Sequence, residues 1–259
     1  MTYLCPLHDL RASHGRLSKE LLDFKGIFFD LFDTLVVVEM DHAQAFDVLF
    51  SSLVAQGFDI SYDKFKPVYF SCREEIRAES LSTLKEQTNS IAIAESLGQC
   101  GIHVDSSDQR LTNAVDAQFE PFILKARLLS GALELLRICS ESTSVGIISN
   151  FSYAPVVRRL LSRLKIDSYL EGIIVSNDVG YRKPHERIFQ VALETLKSSA
   201  KDSVMIGDSI AEDIAGAKAV GMGTILVLND KKYTRSSPSS VLPDRTISDL
   251  SQLLAMIHW

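Results

Sequence analysis

The sequence predicts an α/β protein: a Rossmann-like core built on a parallel sheet, with an α-helical domain inserted after the first strand. Two observations support this prediction. From about residue 144 onward, short runs rich in Ile and Val alternate with helix-like amphipathic segments, which is typical of buried parallel strands in βα units. Between residues 38 and 125 the chain shows no strand-like run and only helix-like segments.

These patterns divide the chain into three parts. Residues 1–25 are predicted to form an N-terminal extension, residues 26–37 and 126–259 the α/β core, and residues 38–125 the helical insertion. At 259 residues the chain is long enough for this arrangement, since single domains centre on about 100–150 residues.

The first strand begins at Gly26, in the stretch GIFFDLFDTLVVV. Its apolar run is interrupted by Asp30 and Asp33, with Thr34 after them. A lone buried carboxylate costs about several kcal/mol unless a positive charge compensates it. We therefore expect these residues to leave the strand at a turn and to face a site.

The insertion contains four helix-like segments. The first ends at Gly57 and the third at Gly101, and glycine is a common helix stop. The predicted segments are residues 41–57, 63–81, 88–101 and 108–123.

The second half of the core alternates strands with helices. The carboxyl ends of such strands border the active crevice of parallel α/β sheets, so the polar residues that follow each strand are candidates for a site. The predicted strands are residues 144–150, 171–177, 203–208 and 223–229; the predicted helices are residues 154–164, 185–198, 211–221 and 247–257, with a polar loop at 229–244.

Bulk composition excludes several classes of protein. The net charge is −6, with 27 basic and 33 acidic residues, which argues against a nucleic-acid partner. No apolar run approaches the roughly 18–20 residues of a membrane span, so no membrane association is expected. The four cysteines form no CxxC pair and are expected to be reduced, mostly buried thiols. The cytoplasm is the expected location.

The residues at the predicted strand ends have complementary chemistry. Asp30 supplies a nucleophile or acceptor, Ser149 a neutral donor, Lys183 a cation, and Asp208 and Asp213 two further carboxylates. One lysine does not balance three carboxylates, whereas a hard divalent cation such as Mg²⁺ does. A divalent cation, a lysine and a hydroxyl make a site for a phosphoryl group, and an Asp nucleophile can form an aspartyl-phosphate.

This ordered set resembles the four motifs of the haloacid dehalogenase (HAD) superfamily, and the helical insertion resembles a type-1 cap, which closes over the site and selects the substrate. All four motifs occur in order, each at a predicted strand end, between Asp30 and Asp213. The residues that carry the resemblance are Asp30 with Thr34, Ser149, Lys183, and Gly207-Asp208 with Asp213.

The resemblance implies a role for each residue. Asp30 is implied as the nucleophile, while Ser149 and Lys183 hold the phosphoryl oxygens. Thr34 supports the loop after the nucleophile, and both Thr34 and Asn150 are implied as substrate-binding residues. The implied Mg²⁺ ligands are Asp30, the backbone carbonyl of Phe32, Asp208 and Asp213.

The first motif departs from the pattern of the family's phosphatases, which place a general acid two residues after the nucleophile. Phe32 occupies that position here, and Asp33 is shifted by one residue. Asp33 is then either a displaced acid or a polar turn residue. The 2-haloacid dehalogenases of the superfamily also carry an aromatic residue there, but they work without a metal and lack the paired carboxylates of the fourth motif.

In the cap, Arg73 and Arg77 lie four residues apart, on one face of a predicted helix. They are candidates for contact with an anionic substrate; the alternative is a solvated face on which they pair with Glu74 and Glu75.

The sequence therefore predicts a Mg²⁺-dependent HAD-like hydrolase, a phosphatase acting on a small phosphorylated metabolite. Two alternatives remain open. One is a hydrolase similar to 2-haloacid dehalogenases, and the other is a catalytically weak HAD-like binding protein.

Overall fold

A six-stranded, fully parallel sheet forms the centre of the molecule, in the order β5-β4-β1-β6-β7-β8. The computed structural model describes residues 20–39, 42–229 and 241–257. A short antiparallel pair, β2 with β3, lies outside this sheet. The strands are β1 (Gly26–Phe29), β2 (Val36–Val37), β3 (Arg127–Leu128), β4 (Ser144–Ser149), β5 (Gly172–Val175), β6 (Ser203–Gly207), β7 (Gly223–Val227) and β8 (Arg245–Ile247).

Among the described residues, four α-helices lie between β2 and β3, and six follow β3. They are α1 (His42–Ala55), α2 (Tyr62–Thr83), α3 (Asn89–Gln99), α4 (Gln109–Lys125), α5 (Ala132–Ser142), α6 (Ala154–Arg163), α7 (Ser176–Val179), α8 (Glu186–Thr195), α9 (Ala215–Ala219) and α10 (Leu250–Ile257).

Alternation along β1 explains how the sheet is buried on both faces. Ile27 and Phe29 point into the larger apolar cluster, which also includes residues of α5 and α6. Phe28 points the other way, into a second cluster with Phe189 of α8. All three β1 side chains are fully buried. A strand buried on both faces reads as a continuous apolar run, which is the pattern at the start of this sequence.

Helices α1 to α4 build the cap around an aromatic cluster of their own. Phe46 of α1 contacts the rings of Phe65 and Tyr69 of α2, at centroid distances of 6.2 and 5.4 Å. Helix α4 packs along α1, and α3 packs on α2. Within the described part of the cap, no residue belongs to a β-strand apart from an isolated bridge at Lys85.

The structure confirms the predicted fold class, an α/β core with a helical cap. It also differs from the predicted elements in several places. Helices α5 and α7 and strands β2, β3 and β8 were not predicted, and the strand predicted at 171–177 ends at Val175, where α7 begins. The last helix begins at Leu250 because residues 245–247 extend the sheet as β8. The predicted 211–221 helix starts as a π-helical turn, Ile210–Ile214.

Two parts of the prediction remain untested. Residues 1–19 of the expected N-terminal extension, and residues 230–240 of the expected polar loop, lie outside the described residues. The exact division between core and cap at residues 38 and 125 also stays a prediction. No helix among the described residues has the length and hydropathy that a bilayer crossing requires.

Candidate active site

The carboxyl ends of the three central strands bring the predicted site residues together. Strand β1 pairs in parallel with β4 on one side and with β6 on the other. Asp30 directly follows β1, Ser149 is the last residue of β4, and Asp208 directly follows β6. The backbone N–H of Asp30 still donates to Ile206 of β6, at 2.9 Å. The nucleophile candidate is therefore fixed to the rigid centre of the sheet.

Lys183 is the buried cation of the site. Its Nζ donates to Asp30 Oδ1 and to Asp213 Oδ1, each at 2.6 Å, and to the carbonyl oxygen of Ile148 at 2.8 Å. The Lys183 side chain is only 1% exposed. All three ammonium protons are used, which satisfies a charge that would otherwise be expensive to bury.

Asn150 positions the lysine rather than standing free beside Ser149. Its Oδ1 accepts the backbone N–H of Lys183 at 2.7 Å, and its Nδ2 donates to the Lys183 carbonyl oxygen at 3.1 Å. The same Nδ2 donates to Glu212 Oε2 at 3.1 Å. The sequence placed Asn150 at a strand end but gave no sign of these partners. The predicted contact of Asn150 with substrate stays a prediction.

Burial governs the protonation of the two paired carboxyls. Desolvation raises the pKa of Asp30 to about 6; the attraction of Lys183 opposes this rise, and the nearby charge of Asp213 adds to it. Desolvation likewise raises the pKa of Asp213, again opposed by Lys183. For Lys183, burial alone would lower the pKa, but the carboxylates of Asp213 and Asp30 outweigh it, so that the pKa lies above its usual value.

Three carboxylates form a compact acidic cluster. Asp30, Asp208 and Asp213 each offer an oxygen, and these atoms all lie within 4.8 Å of one another. Asp213 is oriented by a bond from the backbone N–H of Ser209 to its Oδ2, at 3.0 Å. A side chain at Gly207 would not fit, because a Cβ there would lie 2.3 Å from Asp213 Oδ2. The Gly-Asp pair of the fourth motif thus has a steric reason.

Among the residues that the structure describes, two buried hydroxyls of predicted site residues have no hydrogen-bond partner. They are Ser149 Oγ and Thr34 Oγ1, and both side chains are fully buried. Buried polar atoms are normally paired. Ser149 directly follows Ile148, whose carbonyl oxygen accepts from Lys183, so its unpaired hydroxyl indicates a place for a ligand oxygen.

Phe32 and Asp33, although adjacent in the chain, have different surroundings. The Phe32 ring packs against Phe122 of the cap and Phe151 of the core, at centroid distances of 5.5 and 5.2 Å. Asp33 lies in a turn with φ of 62°, a left-handed conformation that Asp tolerates better than most residues. Its N–H donates to Val36 and its carbonyl accepts from Asn229 Nδ2. The role of Asp33 as a proton donor stays a prediction.

A cavity of about 250 Å³ lies between the cap and the core. Arg73 and Arg77 of α2 line it, as does Arg182 of the core. Arg77 is largely exposed and lies 3.7 Å from Glu74, whereas Arg73 is half-buried. The predicted contact of both arginines with substrate stays a prediction. The loop before α3 closes one side, where Glu86 Oε2 accepts from Ser176 Oγ at 2.6 Å. The sequence carried no signal for the Glu86–Ser176 contact.

Comparison with known proteins identifies the family. A family model described as haloacid dehalogenase-like hydrolase matches residues 24–221. The chain is 27% identical over 239 residues to a glyceraldehyde 3-phosphate phosphatase of Pyrococcus furiosus, covering 90% of this chain and 93% of the relative. It is 27% identical over 172 residues to a ribulose-1,5-bisphosphate 5-phosphatase of Halopiger xanaduensis, covering 66% and 70%.

The fold is similar to solved structures of the same family. A 2-haloacid dehalogenase of Pseudomonas syringae aligns with a TM-score of 0.65 and 25% identity, over 91% of this chain and 98% of the other. The family match spans the strands that carry Asp30, Ser149 and Asp208, as well as the whole cap. The chain therefore belongs to the haloacid dehalogenase-like hydrolase family.

Proposed function

We propose that this hydrolase is a Mg²⁺-dependent phosphatase that releases phosphate from a small phosphorylated metabolite through a phosphorylated Asp30. The observation that carries the proposal is the buried, unpartnered hydroxyl of Ser149, the residue after Ile148, whose carbonyl oxygen accepts from Lys183; Lys183 in turn binds two residues of the acidic cluster. Hydroxyl donors and an ammonium group suit phosphoryl oxygens. The names of the Pyrococcus and Halopiger relatives point to the same class of reaction.

The acidic cluster fits a divalent cation. Asp30, Asp208 and Asp213 offer oxygens within 4.8 Å of one another, and Lys183 pairs with Asp30 and Asp213. Burial raises the pKa of Asp30 and of Asp213 despite the attraction of Lys183, so a further cation would favour their ionised forms. Hard oxygen ligands of this kind suit Mg²⁺, which would be held by these three residues and the Phe32 carbonyl. When bound, it would offset the charge of the carboxylates and of the phosphoryl group.

In the proposed reaction an Asp30 carboxylate oxygen attacks phosphorus and the bond from phosphorus to the ester oxygen breaks. The leaving oxygen takes up one proton from solvent, and the water that attacks in the second step gives one back. A water then attacks the aspartyl-phosphate, which releases phosphate and restores Asp30. Lys183 keeps the nucleophile oriented through its 2.6 Å bond to Oδ1. Ser149 and Thr34 donate to the phosphoryl oxygens, and Asn150 holds the lysine backbone in place.

Phe32, at the position of the family's general acid, affects which leaving groups the enzyme can release. General-acid help is typically worth about 10²–10⁴-fold. The Phe32 ring, packed against Phe122 and Phe151, supplies no proton on the side of the site that faces the cap. An acidic leaving group or a phosphoanhydride is less affected by this absence than an alkyl ester is. We therefore expect a strong preference for leaving groups of low pKa, unless Asp33 or a residue of the cap donates the proton.

A 2-haloacid dehalogenase activity is the second candidate, favoured by Phe32 and by the similarity to the Pseudomonas enzyme. Halide leaves without a proton, so an aromatic residue in place of a general acid would not slow dehalogenation. The acidic cluster argues against it, because Asp208 and Asp213 would repel a carboxylate substrate. A binding protein without turnover needs no nucleophile, so the placement of Asp30 at the centre of the site argues against it.

The proposed activity is tested by phosphate release from a panel of phosphorylated metabolites and aryl phosphates, with Mg²⁺ and with a chelator. Halide release from 2-haloacids is followed on the same samples. Mg²⁺-dependent phosphate release is the expected result. Metal-independent halide release without phosphate release would replace the proposal with the dehalogenase interpretation, and Mg²⁺ binding without turnover of any compound would favour a binding protein.

Ser149→Ala tests whether the Ser149 hydroxyl binds substrate or stabilises the fold. We expect kcat/KM for phosphate esters to fall about 10–100-fold, the value of one hydrogen bond to a charged group. The free energy of unfolding should change by less than about 0.5 kcal/mol, because the Ser149 hydroxyl has no partner to lose.

Ser176→Ala is the matched control, since it is an equally buried serine that follows a neighbouring strand. Its hydroxyl bonds Glu86 and accepts from the Phe151 N–H, so its loss should destabilise the fold by about 1–3 kcal/mol. Urea denaturation and steady-state kinetics check both variants. If Ser149→Ala destabilised the protein as much as Ser176→Ala, the Ser149 hydroxyl would have a structural role.

A further inference from the structure

Basic side chains outnumber acidic ones among the residues that line the cavity between cap and core. Among the residues that line it are three arginines and one glutamate, in a chain whose net charge is −6. The glutamate, Glu86, already accepts bonds from Ser176 Oγ at 2.6 Å and from the Gln87 N–H at 3.2 Å. Its carboxylate therefore joins the cap to the core. Two further acidic neighbours of the arginines, Glu74 at 3.7 Å from Arg77 and Glu212 at 3.8 Å from Arg182, do not line the cavity.

Two of the arginines have unused donors. Arg73 is half-buried, and across residues 20–39, 42–229 and 241–257 its guanidinium has no ion pair or hydrogen bond. Arg182 is 18% exposed; its buried Nε has no partner, and its ion pair with Glu212 is long, at 3.8 Å. Partly desolvated guanidinium groups gain most from a planar or multidentate anion. Arg77 differs, because it is 64% exposed and its charge is screened by water.

The cavity adjoins the proposed phosphoryl site. Asn150 and Phe151, the two residues that follow Ser149, form part of its wall. Phe119 and Phe122 of α4 add an apolar side, and the volume of about 250 Å³ suits the body of a small metabolite. A substrate whose phosphoryl group lies at Ser149 and Lys183 would extend its other end into this cavity.

We propose that the cavity binds a second anionic group of the substrate, held by Arg73 from the cap and Arg182 from the core. The substrate class is then a small phosphomonoester that carries a carboxylate or a second phosphate, in preference to a neutral phosphomonoester. This inference rests on the proposed phosphatase function and makes Arg73 a specificity-determining residue. Because the two arginines come from different parts of the fold, the second anion would also hold the cap closed on the core.

The test compares substrates that differ only in the second group. The carboxylate pair is 2-phosphoglycolate against 2-hydroxyethyl phosphate, and the phosphate pair is glycerol bisphosphate against glycerol 3-phosphate. Wild type should prefer the anionic member of at least one pair, and Arg73→Gln should lower that preference in kcat/KM about 10–100-fold. Comparison of ratios between variants cancels any difference in leaving-group pKa.

Lys64→Gln is the matched control. Lys64 lies on the same helix but is exposed, and nine residues, at about 100° each, place it on the face opposite Arg73. It removes one positive charge without touching the cavity, so it should leave the preference within about twofold, as expected for a solvated charge. An equal loss in both variants would mean that net charge, and not Arg73, sets the preference, and would overturn the inference.

Two further measurements separate the inference from the proposed function. Turnover of p-nitrophenyl phosphate, which carries no second anion, reports the phosphatase activity alone. Calorimetric binding of 2-phosphoglycolate and of glycerol bisphosphate to Asp30→Asn, with and without Arg73→Gln, reports the anion site without turnover. Turnover of p-nitrophenyl phosphate together with no anionic preference would overturn only the inference. Absence of turnover with Arg73-dependent binding would overturn only the proposed function.

Discussion

Asp30→Asn should abolish phosphate release, by at least about 10⁴-fold in kcat, since no other carboxylate can take the place of a missing nucleophile. The position is rigid, because Asp30 directly follows the central strand and its N–H bonds Ile206. Asp213 also pairs with Lys183, but it lies on the π-helical turn rather than at the end of β1. Burst-phase and steady-state phosphate assays with Mg²⁺ check the loss.

The same variant should be more stable than the wild type when a chelator is present. The folded-state pKa of Asp30, about 6, lies above its ordinary value of 3.8, so the fold favours the neutral carboxyl. Ionisation therefore costs stability as the pH rises from about 4 to about 6, and the cost is fully present above that range. Removing the charge should raise the free energy of unfolding by on the order of 1–3 kcal/mol near pH 8 and by almost nothing below about pH 4.

Urea denaturation at several pH values measures this difference. Mg²⁺ should reduce it, because a bound cation stabilises the ionised form that the wild type has and Asp30→Asn lacks. Asp167→Asn, which removes a carboxyl outside the site, serves as the control. It should show neither the pH-dependent gain in stability nor a dependence of that gain on Mg²⁺. Loss of activity together with a large loss of stability in Asp30→Asn would instead assign Asp30 to the structural core.

The residues at the centre of this site could be predicted from the sequence, because the order of the strands along the chain and their parallel direction determine which residues meet. Apolar runs that end in a single polar residue mark where parallel strands stop, and in a parallel sheet those ends share one edge. Asp30, Ser149 and Asp208 follow from that rule alone. Glycine likewise marked two helix ends: Gly57 and Gly101 have φ of 90° and 88°, a conformation that glycine adopts without strain.

Features that depend on tertiary packing were not predictable. Helix α2 runs past its expected end at residue 81 and stops at Leu84, a leucine with φ of 56°, for which no local pattern exists. The edge strand β8 is three residues long, too short for a periodicity to be recognised. The contacts of Arg73, Glu86 and Asn150 depend on how the cap meets the core, which spacing along the chain does not encode.

Lys183→Met should be the most destabilising single change at the site. The variant leaves Asp30 and Asp213 buried without their cation, and it removes the donor to the Ile148 carbonyl. Removing one partner of a buried ion pair typically costs about 3–5 kcal/mol, because the remaining charge has neither water nor a counter-ion. Methionine has a similar length, so the loss comes from charge and hydrogen bonding rather than from a cavity. Activity should be lost as well.

The pH dependence of the stability of Lys183→Met shows whether the loss comes from buried, unpaired carboxylates. Without Lys183 the pKa values of the two carboxyls rise further, so both are neutral in acid, where the variant should lose least. As the pH rises, each ionisation is penalised in the fold, and the stability gap to wild type should widen toward about pH 8. Lys201→Met, the same substitution at an exposed position, should show almost no gap at any pH.

A second substitution tests the charge argument directly. Adding Asp30→Asn to Lys183→Met removes one of the two unpaired carboxylates, so the double variant should be more stable than Lys183→Met alone above about pH 6. The order of the four unfolding midpoints then decides between two accounts of this lysine. If the double variant were no more stable than Lys183→Met, Lys183 would stabilise the fold by packing. Recovery in the double variant would show that its role is to balance a buried negative charge, as a site that binds phosphate and a divalent cation requires.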